Sequence, residues 1–460
     1  MHKTVVINAV GLTANLIGEH TPRISAFAKA GKSTSIKPVF PAVTTTVQTT
    51  YLTGKWPSEH GIVGNGWYFR DESEVKFWKQ SGALVQSPRI WSLLKKQHPD
   101  FTCANICWWY AMYCDCDFTV TPRPMYPANG LKLPDVWTHP AKLRDELQAE
   151  LGQFPLFTFW GPATSIKASQ WIADAAICVD KKQNPTLSLI YLPHLDYGLQ
   201  RYGPKDARIA KDLIELDRVC GKLFDHYQKQ DANIILLSEY GISEVNQPVH
   251  LNRILRQHGL LAIREEMGRE LLDAGASEAF AVADHQLAHV YVKNPACIEV
   301  VKKLLANIPG VDRVLNSAEQ NEIHLNHPRA GELVVLAKPS AWFTYYYWND
   351  DARTPDFART VDIHRKPGYD PAELFLDPKL TAPKLKIAWT LLKKKLGFRY
   401  LMEVIPLDAT LVKGSHGVGP VDPSEGALLI SSAASLVPDT AIEAIDVCNL
   451  IQRHVVSIAT

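Results

Sequence analysis

Four short apolar runs, at 4–8, 156–160, 187–192 and 233–238, recur along the chain, with helical patterns between several of them. Apolar runs of this length, without polar alternation, predict strands buried on both faces. The clearest helical pattern is 208–228, where Ile209, Leu213, Leu216, Cys220 and Phe224 follow at three- and four-residue spacing and so form one core-facing stripe. Strands alternating with helices predict an α/β fold, a three-layer α/β/α sandwich around a mostly parallel central sheet. The pattern returns at 427–432, expected as a strand, and at 439–454, expected as a helix. Two stretches rich in Trp, Tyr, Pro and His, 70–152 and 254–378, fit the alternation poorly. They are read as lobes inserted into a core of 1–69, 153–253 and 400–460, with the second insert extended to 399 by a basic segment.

A chain of 460 residues can bury a large core without disulfides or metal. Its 49 Lys and Arg against 48 Asp and Glu give a net charge of +1, so no overall basic field draws it to nucleic acid or to an anionic membrane. The opening residues lack the cationic and long apolar regions of a secretory signal. No apolar run is long enough for a transmembrane helix, and the cytoplasm is the expected compartment. Cys103, Cys107, Cys114 and Cys116 lack paired CxxC spacing and are expected as buried reduced thiols rather than a metal site.

Three of the expected strands end in polar residues: Asn8, the pair His194 and Asp196, and Glu239. In open parallel sheets the site lies beyond the carboxyl ends of the strands. Phe40-Pro41-Ala42-Val43-Thr44 is followed by Leu52-Thr53-Gly54-Lys55-Trp56-Pro57-Ser58-Glu59-His60-Gly61-Ile62 and then Asn65. Together these segments resemble the nucleophile region of the type I phosphodiesterase/nucleotide pyrophosphatase branch of the alkaline-phosphatase-like superfamily. Further pieces come in that family's order: Val5-Val6-Ile7 with Gly11-Leu12, Thr21-Pro22, Asp196 with Tyr202-Gly203-Pro204, Ser238-Glu239-Tyr240-Gly241, and Gly414-Ser415-His416-Gly417.

The resemblance implies a metal-dependent phosphoesterase acting on a small phosphodiester, diphosphate or phosphonate, and the net charge of +1 sets nucleic acid aside as a partner. It implies Thr44 as the nucleophile at a helix N-terminus, where backbone N–H groups favour phosphate, and Asn65 as donor to a phosphoryl oxygen. It also implies two divalent metals, usually zinc. Here the sequence departs from the family. The first-turn acid falls on Val10, a ligand histidine on Gln200, and an Asp–His pair on Glu239 and Tyr240. Zinc takes thiolate, imidazole or carboxylate; valine offers none, a neutral amide is a poor ligand, and tyrosine would have to ionise. Fewer than two ions are therefore expected, with one zinc or other divalent metal held by His194, Asp196, His416 and Glu239. His194 joins this set if the chain is extended there, because residues i and i+2 of a strand share a face; the alternative is a purely structural histidine. For the whole protein the alternative is a catalytically silent member that binds a ligand or a pathway partner.

Several other groups carry two readings. His285 and His289, four apart, are either metal ligands or a polar face on the second insert. Arg365 and Lys366 either clamp a substrate phosphate or belong to a solvated loop. Trp67, Tyr68, Trp108, Trp109 and Tyr110 either stack on the organic part of a substrate or fill core. The segment 379–399 carries seven basic residues and no acid, with Leu385, Ala388, Trp389, Leu392 and Leu396 at helical spacing. Its apolar stripe is expected to pack on the core, contact with an anionic membrane being the alternative.

Overall fold

The computed structural model describes residues 1–420 and 422–456. Its centre is an eight-stranded sheet in the order Lys32–Ser35, Leu428–Ser431, Asn233–Leu237, Thr4–Ala9, Leu187–Leu192, Cys103–Ile106, Phe118–Pro122, Val136–His139. The five strands from Asn233–Leu237 to Phe118–Pro122 run parallel, and the remaining strands pair antiparallel at the two edges. Thr4–Ala9 and Leu187–Leu192 are buried at every residue, as continuous apolar runs require when both faces are covered. Lys167–Gln183 packs against Ile209–Gln228, and Thr44–Thr53 packs against Asp446–Val456.

Three expectations about elements are corrected. Residues 156–160 are not a strand; Leu156–Thr158 is a single 3-10 turn. Pro155 precedes the run and has no N–H to give a ladder, and Leu156, Phe157, Phe159 and Trp160 line a cavity instead. The last helix begins at Asp446 rather than near 439, because the chain before it is extended and Ile442 bridges to Ile36 of the sheet domain. The stretch 70–152, expected as an inserted lobe, supplies three strands of the central sheet. Cys103–Ile106 escaped the pattern because it is only four residues long and carries Asn105. That side chain is buried, and its Oδ1 accepts from the Trp108 N–H at 2.9 Å.

The stretch 254–399 holds a separate antiparallel sheet in the order Ala279–Asp284, Leu287–Val292, Leu333–Ala337, Val311–Asn316. It has its own apolar core, which includes Phe280, Val282, Val335 and the buried run Tyr345, Tyr346, Tyr347 and Trp348. The hairpin turn between the first two strands, at His285 and Gln286, reaches the loop around His416: the Gln286 N–H donates to His416 O at 2.9 Å. Gly417 follows with φ +130°, and a Cβ there would stand 3.0 Å from Gln286 N. Only glycine lets these two loops close up in this way.

Candidate active site

Three neighbouring parallel strands deliver the polar groups. Asn233–Leu237 runs out into Glu239 and Tyr240, Thr4–Ala9 ends at Asn8 and Ala9, and Leu187–Leu192 leads through Pro193 to Asp196. Facing them is Thr44, the first residue of the helix Thr44–Thr53, in which every residue is buried. A buried helix rich in threonine must satisfy its hydroxyls internally. Thr49, Thr50 and Thr53 do so by donating to the carbonyls four residues back, at 2.7, 2.9 and 2.7 Å. The Tyr51 hydroxyl donates to Ser238 O at 3.0 Å, fastening the helix to the strand end that carries Glu239.

The Thr44 hydroxyl lies 3.0 Å from the Tyr240 hydroxyl, which donates onward to Asp196 Oδ1 at 3.3 Å. Gln200 Nε2 donates to the other Asp196 oxygen at 2.7 Å. Burial pushes the Asp196 carboxyl up to about 7, against the opposing pull of the bonds from Gln200 and Tyr240. Glu239 Oε1 accepts from Asn8 and Gln48, each at 2.6 Å, while its Oε2 is buried with no partner. Burial lifts the Glu239 carboxyl to about 8, so it is mostly protonated at neutral pH.

His416 hydrogen-bonds through Nδ1 to Ala42 O at 2.7 Å and sits with Nε2 4.0 Å from Asp196 Oδ1. Burial drives its ring down to about 3, so that contact joins a neutral imidazole to a carboxylate. The ring lies flat on Tyr240, with centroids 3.7 Å apart and planes 8° apart. On its other side it meets His285, and His285 meets Tyr369, each at 3.7 Å between centroids. Tyr369 closes the circuit by donating to Gln200 Oε1 at 3.0 Å.

The sequence reading placed Thr44, Asp196, Glu239 and His416 together, and the structure does gather them. His194 is not with them. The chain turns helical at His194–Tyr202, and two residues along a helix are 200° apart rather than on one face. His194 instead packs against Glu215 at 3.1 Å and Asp212 at 3.7 Å. These three residues are, among the described residues, the group of His, Cys, Asp and Glu ligands close enough to hold a metal ion. None of them lines the cavity that holds Thr44.

Asn65 is near the helix start but is occupied. Its Oδ1 accepts the Thr45 N–H at 3.1 Å, and its Nδ2 and backbone N–H donate to Asp284 at 3.0 and 2.7 Å. It holds the first turn of the helix in place and does not line the cavity. Lys366 is buried between Asp370 at 2.6 Å and Glu373 at 2.7 Å, its charge already neutralised. Arg365 pairs with Asp356 at 3.0 Å and does line the cavity, as do Arg123, Lys132 and Lys394. His285 and His289 are parted by the hairpin turn. His289 lies in the strand after it, with its ring bonded to Val63 O at 2.8 Å and to the Gly331 N–H at 3.2 Å.

The cavity has a volume of about 810 Å³ and runs from Thr44, Asp196, Tyr240 and His416 past Trp78, Trp109, Trp160 and Tyr369. Of the aromatic residues considered from sequence, Trp109 lines it, while Trp67, Trp108 and Tyr110 are core. Sequence reasoning named Asn8 only as a strand exit, missed Gln48, Asp284 and Tyr369 as partners in the site, and treated Tyr240 only as a lost ligand. The strand-exit position of Asn8 was the one available signal among them. The donors around Thr44 do not form a three-ligand cation site: Val10 is core, Tyr240 fills the middle of the cluster, and His194 faces elsewhere.

The sequence profile described as type I phosphodiesterase / nucleotide pyrophosphatase matches residues 4–370. Human ectonucleotide pyrophosphatase/phosphodiesterase family member 1 is 24% identical over 248 residues, which cover 51% of this chain and 23% of that protein. Ectonucleotide pyrophosphatase/phosphodiesterase 2 of Saccharomyces cerevisiae is 26% identical over 224 residues, covering 45% and 39%. The chain spans less than half the length of these curated relatives. Phosphonoacetate hydrolase from Sinorhizobium meliloti, in complex with phosphonoacetate, has a similar fold, with a TM-score of 0.63 at 14% identity over 98% of this chain and 96% of that one. An inactive variant of murine ectonucleotide pyrophosphatase/phosphodiesterase 5 in complex with AMP gives 0.60 at 13%, over 100% and 96%.

Proposed function

We propose a phosphoesterase reaction at Thr44 for this chain, which belongs to the type I phosphodiesterase / nucleotide pyrophosphatase family. The observation that carries the reading is the relay from the Thr44 hydroxyl through the Tyr240 hydroxyl to Asp196, at 3.0 and 3.3 Å. Thr44 Oγ1 attacks phosphorus as its proton passes to Tyr240, whose own proton moves to Asp196. The bond from phosphorus to the leaving oxygen breaks and that group departs with the electron pair; in a phosphonate the P–C bond breaks instead, and the carbon that leaves with the electron pair takes a proton from water. Water then attacks the phosphothreonine and releases its proton to solvent, and the threonine oxygen recovers a proton from Asp196 through Tyr240. Asp196 is suited to both directions because burial holds it near neutrality. The dipole of the helix Thr44–Thr53 offsets the charge that builds on the phosphoryl oxygens. The family generally depends on divalent metal; the donors at Thr44 do not make a cation site, so here the threonine proton leaves through Tyr240 and Asp196.

The substrate is a small phosphodiester, diphosphate or phosphonate whose organic part lies along Trp78, Trp109 and Trp160. Turnover of bis(p-nitrophenyl) phosphate by wild type, Thr44→Ala and Asp196→Asn tests this, with activity expected only in the wild type. A second reading has its own support: Val10 is packed in the main core and Glu239 is held largely protonated. In that reading the cavity binds a phosphorylated ligand without turning it over, and all three proteins show the same background rate.

A further inference from the structure

The helix Pro383–Lys395 was expected to lay its apolar stripe on the core, and it does not. Only Thr390 is buried. Leu385 is 72% exposed, Trp389 58%, Leu392 44% and Leu396 63%. Their spacing of four, three and four residues puts all four on one face of the helix. At 100° per residue, Lys384 and Lys395 lie along one border of that face, and Lys386 and Lys393 along the other. An apolar stripe edged on both sides by lysines is the pattern of a helix lying in the plane of a bilayer surface, its lysines reaching up to the headgroups. Phe398 and Leu401, just beyond, are also exposed.

The opposite face is part of the cavity wall. Ile387, Leu391 and Lys394, again at spacings of four and three, line the same cavity as Thr44, joined by Tyr400, Leu401 and Met402. Ile387 also packs on the small cluster of Ala372, Val404 and Ile405, which fixes the helix to the body. The helix thus stands between the cavity and the outside. The segment 379–399 has seven basic residues and no acid in a chain whose net charge is +1, so the positive charge is concentrated at this edge.

We propose that this face docks on an anionic lipid bilayer, which brings the cavity wall formed by Ile387, Leu391 and Lys394 next to the lipid. Leu385, Trp389, Leu392 and Leu396 enter the boundary between headgroups and acyl chains, and the flanking lysines pair with anionic headgroups. No helix among the described residues is long and apolar enough to cross a membrane; the contact is peripheral. Resting on the phosphoesterase reading, the substrate class is then an amphiphile, with its phosphate at Thr44 and its apolar part in the aromatic cavity.

Flotation of the full chain with phosphatidylcholine vesicles, with and without phosphatidylglycerol, tests the docking. The wild type is expected to float with the anionic vesicles only, and to be released by salt. Neutralising Lys384, Lys386, Lys393 and Lys395 to Gln is expected to weaken binding roughly fivefold per lysine. The double variant Leu385→Asp with Trp389→Asp, at exposed positions outside the cavity wall, is expected to abolish it. Both variants should keep wild-type turnover of soluble bis(p-nitrophenyl) phosphate, so failure of docking and failure of the reaction are read separately. A wild type that stays unbound to anionic vesicles at low salt overturns the proposal. So does binding that survives the double aspartate variant, or a lipid-free dimer that the same variant dissolves, which would assign the face to a second copy of the chain.

Discussion

The helix Thr44–Thr53 is buried at all ten of its residues and six of them are threonine, whereas the longer Pro383–Lys395 buries only Thr390 and leaves leucine and tryptophan in water. Polarity and burial are inverted between the two. The buried helix tolerates most of its hydroxyls because Thr49, Thr50 and Thr53 bond carbonyls one turn back and Thr45 bonds Gly64 O, while Thr44 meets Tyr240 and Thr46 Oγ1 is left without a partner. It gains a firm seat for Thr44, the group proposed to react. The exposed helix leaves Leu385, Leu392 and Leu396 largely in water and covers Trp389 only with its own Lys393, 5.6 Å from the ring centroid, and so carries information about what lies outside it. Position in the fold, rather than hydropathy, decides what each of the two can contact.

The comparison breaks first at Thr44. Thr44→Ala should reduce turnover of bis(p-nitrophenyl) phosphate by roughly 10⁴-fold or more, as loss of a nucleophile does; retained activity would remove the buried helix from the reaction. Tyr240→Phe keeps the ring on His416 and deletes only the relay hydroxyl. It should lower kcat by about 10²- to 10⁴-fold, the range for a proton-transfer group, with far-ultraviolet circular dichroism unchanged. The pH profile sharpens the same point. Asp196 must be ionised to take the proton, so kcat/KM should rise with pH through about 7 and level off above it.

Stability should move the other way. Glu239 is raised in the folded state to about 8 from an ordinary 4.5. The folded chain therefore holds more protons than the unfolded chain, and this contribution declines as pH rises between those values. Glu239→Gln should flatten that slope in urea denaturation series. The smallest effects compare the two helices directly. Tyr51→Phe, which removes the buried bond to Ser238 O, should cost about 1 kcal/mol. Leu385→Ser on the exposed face should stay within about 0.5 kcal/mol, and a larger loss would mean that the stripe is packed after all.

The parallel centre of the sheet was legible because Thr4–Ala9, Leu187–Leu192 and Asn233–Leu237 are unbroken apolar runs with polar exits. Cys103–Ile106 and Phe118–Pro122 were not, since short strands carrying Asn or Thr look like loop. Within the site, motif order located Thr44, Asp196, Glu239 and His416. It could not locate Asp284, the last residue of the strand Ala279–Asp284, or Tyr369, in the irregular segment whose N–H bonds Ala283 O of that strand; both meet the site only through tertiary packing. His194 was misplaced for a local reason: a turn at Pro193 changed the backbone period from two to 3.6, and with it the side chain's direction. The position of His194 beside Asp212 and Glu215 gives a direct check. An ion held there should be lost on His194→Ala and retained on His416→Ala, as measured by elemental analysis.

The four rings of Tyr240, His416, His285 and Tyr369 come from four separated parts of the chain and touch in sequence. A column of this kind transmits a push instead of absorbing it: tilting the outer tyrosine requires the inner one to slide as well. The wall beside Thr44 is therefore one packed unit, in which a change at Tyr369 is passed to Tyr240 through two histidine rings.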